Sequence, residues 1–176
     1  MRKSILLLSL VALAAPVAAF ADASPTPAQT ANAMCAAAKT SMGASFATTY
    51  GTNTAKSNAF GKCVSAHAKA AQNAVTNASK SCKAQQADAN FAAAHDNKTF
   101  NQFYGSGNGK GSPQNAMGKC VSQAVQSAVA AQAKASNAAL KSCKAAMKAD
   151  KAAFATTYGT GKDALGKCVA AKSGTK

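Results

Sequence analysis

The chain is 176 residues long with a formal net charge of +15, from 20 Lys and Arg against 5 Asp and Glu. Nearly half of it is apolar, yet it has no Trp and only 7 Phe and 3 Tyr, so most of that share is Ala. Such a chain can bury one modest core and little more, and any partner held by charge is anionic rather than basic.

At the start, Arg2 and Lys3 precede an apolar run over residues 5–19 and the small-x-small site Ala19-Phe20-Ala21. This pattern predicts a secretory signal peptide over 1–21, and hence a secreted or periplasmic product. No later stretch reaches the roughly 20 apolar residues that a membrane-spanning helix needs, so no transmembrane segment is expected after cleavage. Removing the leader takes away the only Arg and leaves 18 Lys against 5 Asp, a net charge of +13 with no Arg and no Glu. Six cysteines in an exported chain read as disulfides, because that compartment lacks the thiol buffer that keeps cysteines reduced.

Residues 22–33, with Ser24-Pro25-Thr26-Pro27, read as a linker, and 34–176 as a threefold repeat. Gly-Lys-Cys-Val occurs at Gly61-Lys62-Cys63-Val64, Gly118-Lys119-Cys120-Val121 and Gly166-Lys167-Cys168-Val169. Each copy lies downstream of another Cys and of a Phe-x-x-x-Tyr-Gly, namely Cys35 with Phe46 and Tyr50, Cys82 with Phe100 and Tyr104, and Cys143 with Phe154 and Tyr158. The units span about 35–65, 82–122 and 143–170. The step from the first Cys to the Phe is 11 residues in the outer units and 18 in the middle one, which places a seven-residue insertion around 91–99.

Ala dominates and Pro is confined to the leader, the linker and Pro113, so the repeats read as helical. A helix over about 58–87 carries Phe60, Val64, Ala71, Val75, Ala78 and Cys82 on one side at 3/4 spacing and Lys62, Lys69, Lys80 and Lys83 on the other. Ser112-Pro113 reads as a helix start, and nothing breaks the pattern before about Asp150. That gives a rod of about 35 residues, near 50 Å long, with Lys119, Lys134, Lys141, Lys144 and Lys148 on one stripe. Shorter helices end at Gly51, Gly105 and Gly159, positions suited to a left-handed residue. Their Phe/Tyr pairs, one turn apart, read as plugs of three small cores. Gly61, Gly118 and Gly166, each costly inside a helix, read as points where a partner helix approaches too closely for a methyl group.

Three copies of one unit should close in one way, which favours Cys35–Cys63, Cys82–Cys120 and Cys143–Cys168 among the fifteen pairings that six cysteines allow. The fold expected is all-α: a zig-zag array of helical hairpins from three repeats that share the two long Ala-rich amphipathic helices, stapled by three disulfides. An Ala side chain buries little apolar area, so such seams depend on covalent staples.

The recurring Cys, Phe-x-x-x-Tyr-Gly and Gly-Lys-Cys-Val pattern, best seen over 46–51 and 58–65, resembles a set of small exported bacterial proteins with no assigned activity. The resemblance implies no function.

Among chemistry-bearing residues, Cys63 and His67 have the i, i+4 spacing of metal ligands. The equivalent positions are Ala124 and Lys172, and Cys63 is assigned to a disulfide, so no metal is expected. His95 reads as a solvated loop residue of the insertion. With five Asp, no Glu and no nucleophile motif, no catalytic set and no cofactor are expected, and the chain reads as no enzyme. What remains is the Lys stripes, Lys62, Lys69, Lys80 and Lys83 with Lys119, Lys134, Lys141, Lys144 and Lys148, as a surface for an anionic polymer or membrane. A purely solubilising Lys face explains the same residues. The alternative class is a structural or partner-binding module that docks another protein through the Ala faces or through Phe91, Phe100 and Phe103 of the insertion.

Overall fold

The first helix, α1 (Pro27–Met42), starts with a capping box: Thr26 Oγ1 accepts from the Gln29 backbone N–H, and Gln29 Oε1 accepts from that of Thr26. Pro27 occupies the first turn, where its missing donor costs nothing. The segment expected as a linker is therefore helical from residue 27 onward. The computed structural model describes residues 23–105, 113–161 and 163–174. The leader expected over 1–21, residues 106–112 and the helix cap expected at Ser112 lie outside the described residues.

Among the described residues seven further helices follow: α2 (Ser45–Tyr50), α3 (Ala59–Ala87), α4 (Phe91–Ala94), α5 (Phe100–Gly105), α6 (Pro113–Ala149), α7 (Lys151–Tyr158) and α8 (Ala164–Lys172). The two long rods run within a residue or so of where the sequence places them. No strand occurs among the described residues. Asp150 separates α6 from α7, its carboxylate accepting from the Ala153 N–H at 2.9 Å, a cap that restarts the helix in a new direction.

All three disulfides pair as the repeat requires: Cys35–Cys63, Cys82–Cys120 and Cys143–Cys168, with Cα separations of 5.9, 6.0 and 6.0 Å. They join α1 to α3, α3 to α6 and α6 to α8, so each long helix closes one unit and opens the next. The zig-zag then folds back on itself. Helix α1 packs against both α3 and α6, and α2 touches α8.

Among the described residues two cores result, not three. One merges the outer units, with Met42, Phe46 and Tyr50 against Leu140, Phe154 and Val169 around two disulfides. The other gathers Met34, Ala71, Phe91, Phe100, Val121, Val125 and Val129 around Cys82–Cys120. Each long helix thus buries one end in each core, which an alanine seam permits because its backbone can approach neighbours closely.

Several local expectations change for physical reasons. Phe60 keeps the helical phase of the buried Ala71, but in the first turn of α3 it is 39% exposed, its ring centroid 6.4 Å from that of Phe46. Two turns further on, the same face buries His67 beside Cys63 and Ala71. Gly159 ends α7 at φ 91°, but Gly51 is extended at φ −74°. Glycine is needed at 51 for space: an added Cβ would lie 2.6 Å from the Ala47 carbonyl and 2.9 Å from the Lys56 backbone. Gly105 is the last residue of α5. Of the helical glycines, Gly166 does sit under another backbone, where a Cβ would collide with the Thr49 carbonyl, whereas Gly61 faces open space.

Candidate functional site: lysine faces and a sealed polar cluster

The lysine stripes are built by the helix repeat alone. Positions 62, 69 and 80 lie within about 20° of one another at 100° per residue, opposite the face that Cys63, Ala71 and Cys82 bury. Lys62, Lys69, Lys80 and Lys83 are exposed on α3, and Lys134, Lys141, Lys144 and Lys148 on α6, while Lys119 is half-buried. Lys144 is tied to the first unit, its Nζ donating to Ser45 Oγ at 2.8 Å. Neither rod carries a single Asp or Glu, so nothing on the same helix compensates these nine charges. The acids sit elsewhere: Asp88 and Asp150 flank the helix ends, and Asp163 pairs with Lys167 on α8 at 2.8 Å. The hydrogen bond from that lysine, helped by the Asp163 backbone and by the charges of Lys167 and Lys62, holds the Asp163 carboxyl below the usual range.

A second polar grouping went unread in the sequence. His67 Nε2 lies 3.3 Å from the Tyr50 hydroxyl, inside the merged core beside Cys35–Cys63, and Ser136 of α6 faces the same hydroxyl. Exposure is 5% for Tyr50, 1% for His67 and 0% for Ser136. Burial lowers the His67 pKa and raises that of Tyr50, with Ser136 pulling the latter back. His67 Nδ1 finds no hydrogen-bond partner, and Ser136 Oγ, though near enough to the Tyr50 hydroxyl to act on it, does not meet it in hydrogen-bond geometry. A hydroxyl, an imidazole and a phenol in one place could exchange protons, but a substrate cannot reach groups this deeply buried. Helical phase was the available signal, since His67 shares the face of Cys63 and Ala71.

The Sγ atoms of Cys35 and Cys63 and a ring nitrogen of His67 all lie within 4.8 Å of one another. Both sulfurs are bonded to each other, so the thiolates that a metal ion needs as ligands are not on offer.

In the insertion, Phe91 and Phe100 turn inward, at 4% and 5% exposure, and Phe103 is left 41% exposed. His95 is no free loop residue. It stacks on Phe91 at 3.8 Å, meets Phe103 edge-on at 4.6 Å, and its Nδ1 lies 2.8 Å from the Phe91 carbonyl. The positive φ angles of Asp96 and Asn97, 53° and 58°, make the tight return that allows this.

Among the described residues no helix is long and apolar enough to cross a membrane. No family model, curated protein or solved structure gives a significant match to the chain.

Proposed function

We propose that the chain is exported, released from its leader, and acts without enzymatic chemistry by binding an anionic polymer or surface through the lysine faces of α3 and α6. Candidate ligands are cell-envelope polymer, nucleic acid and anionic lipid. One observation carries the reading: nine lysines on two rods that contain no acidic residue, eight of them exposed. Lysine ammonium is a hydrated point charge without the planar fork with which Arg reads phosphate geometry. Binding is therefore diffuse, indifferent to base sequence and driven by counterion release. Three disulfides fit an oxidising location outside the cytoplasm. The inward turn of Phe91 and Phe100 supports this reading over a docking surface on the insertion, since it leaves Phe103 as the single large apolar side chain exposed there.

Titration of the mature, oxidised chain with mixed-sequence DNA duplexes and with anionic vesicles, at rising salt, tests it. The expected result is affinity falling with a log–log slope of about −0.9 per contacted phosphate on duplex DNA, with Lys62→Glu and Lys69→Glu flattening that slope. No binding to either polyanion at low salt, or binding that salt leaves unchanged, contradicts it.

A further inference from the structure

Residues 46–52 and 154–160 are the same heptapeptide, Phe-Ala-Thr-Thr-Tyr-Gly-Thr, yet its Thr-Tyr-Gly end is covered only in the first copy. The C-terminal turn of α2 lies on the start of α8, where Gly166 meets the Thr49 carbonyl and Leu165 packs against the merged core. Thr49 is 1% exposed. In the third unit Thr157 is exposed and Tyr158 half-buried. Beside them opens a groove of about 440 Å³ lined by Thr157, Tyr158, Lys167, Ala170 and Ala171. The matching half of the contact is also unused. Phe60 and Gly61 stand where Leu165 and Gly166 stand in the third unit. Phe60 is 39% exposed, and a Cβ at Gly61 would meet nothing within 4 Å.

We infer that the groove of one copy receives the Phe60-Gly61 corner of a second copy, so that α7 docks on α3 between chains as α2 docks on α8 within one. The occupant is argued from the repeat itself, because the chain already contains this contact once, made from the same heptapeptide and the same Gly-Lys-Cys-Val. Such an interface is heterologous, with one face on each end of the molecule, and builds rings or filaments head to tail. The contact is small and weak. Mutual repulsion of copies at +13 opposes it at low salt and is screened at high salt. Its salt dependence is thus opposite to that of polyanion binding, and it stands or falls independently of the proposed function.

Sedimentation equilibrium of the mature, oxidised chain at about 0.5 M salt, where screening acts over only a few ångströms, tests the inference. Wild type should rise in average mass from micromolar to millimolar concentration. Gly61→Leu has room for its side chain in the monomer and should stay monomeric with its thermal transition intact. Thr157→Arg, which blocks the groove, should also stay monomeric, and an equimolar mixture of the two variants should give a dimer through the one intact pair of faces. A wild type that remains monomeric throughout, a Gly61→Leu variant that assembles like wild type, or a mixture that fails to pair overturns it.

Discussion

The first and third units carry the same heptapeptide before the same Gly-Lys-Cys-Val and place it in opposite surroundings. In the first, Tyr50 is sealed against His67 and Ser136, and the backbone of α2 rests on Gly166. In the third, Tyr158 borders an open groove, and the Gly61 that would complete a second such contact is bare. Repeated sequence sets the local helix, the turn and the cysteine pairing, whereas burial depends on which unit the chain happens to fold against. Two copies of a motif can therefore have different energetic weight.

Removing one bridge at a time gives the largest effect and asks whether the two units stand equal where they share a core. Cys35→Ser with Cys63→Ser, and Cys143→Ser with Cys168→Ser, open loops of 28 and 25 residues. Each should cost about 3.5 kcal/mol, read as a drop of about 10 °C in melting temperature. A large difference between the two pairs would break the picture of one merged core.

Next come the glycines, where the units should part. Gly166→Ala forces a methyl against the Thr49 carbonyl and should cost about 2 kcal/mol through overpacking. Gly61→Ala meets open space and should gain about 0.5 kcal/mol from helix propensity. Chemical denaturation of both variants reads the contrast, and equal effects would remove the asymmetry.

The long rods, the three bridges and the lysine stripes were legible because each rests on local signals: proline at a helix start, a repeated cysteine, a 100° phase. The docking of α2 on α8 was not. Residues 46–52 and 154–160 are identical, so nothing within the motif says which copy will be covered. The same ambiguity hid the different roles of Gly61 and Gly166 and the exposure of Phe60 at the start of α3. His67 was passed over because it was weighed as a metal ligand of Cys63 rather than as an occupant of the apolar face it shares. The packing of His95 had a local signal in Phe91, four residues back, whereas its edge contact with Phe103 depends on the turn at Asp96 and Asn97 and lies beyond local pattern.

Smaller effects separate the two tyrosines. Tyr50→Phe removes a buried hydroxyl that His67 uses and should cost about 1.5 kcal/mol, while half-buried Tyr158→Phe should cost under about 0.5 kcal/mol. Thermal unfolding of the two variants checks this, and equal losses would mean that the sealed cluster contributes nothing of its own.

Smallest is the pH response of the first unit. Burial holds the folded pKa of His67 below its ordinary 6.5, so the unfolded chain binds the proton more readily. The stability tied to neutral His67 is complete above about pH 6.5 and is lost as pH falls toward the folded value. A melting temperature that declines between pH 7.5 and pH 5, with the decline reduced in His67→Gln, is the expected outcome. The third unit has Lys172 at that position and makes no such contribution.

All of these contrasts presuppose that thin alanine seams hold only because sulfur clamps them. Comparing the unfolding of the chain from residue 22 onward, oxidised and then fully reduced and alkylated, under identical conditions tests that claim most directly. The expected result is a cooperative transition in the oxidised form and its loss, or a collapse to near room temperature, in the reduced one. If the two forms unfold at the same temperature, the staples are dispensable and the account is wrong.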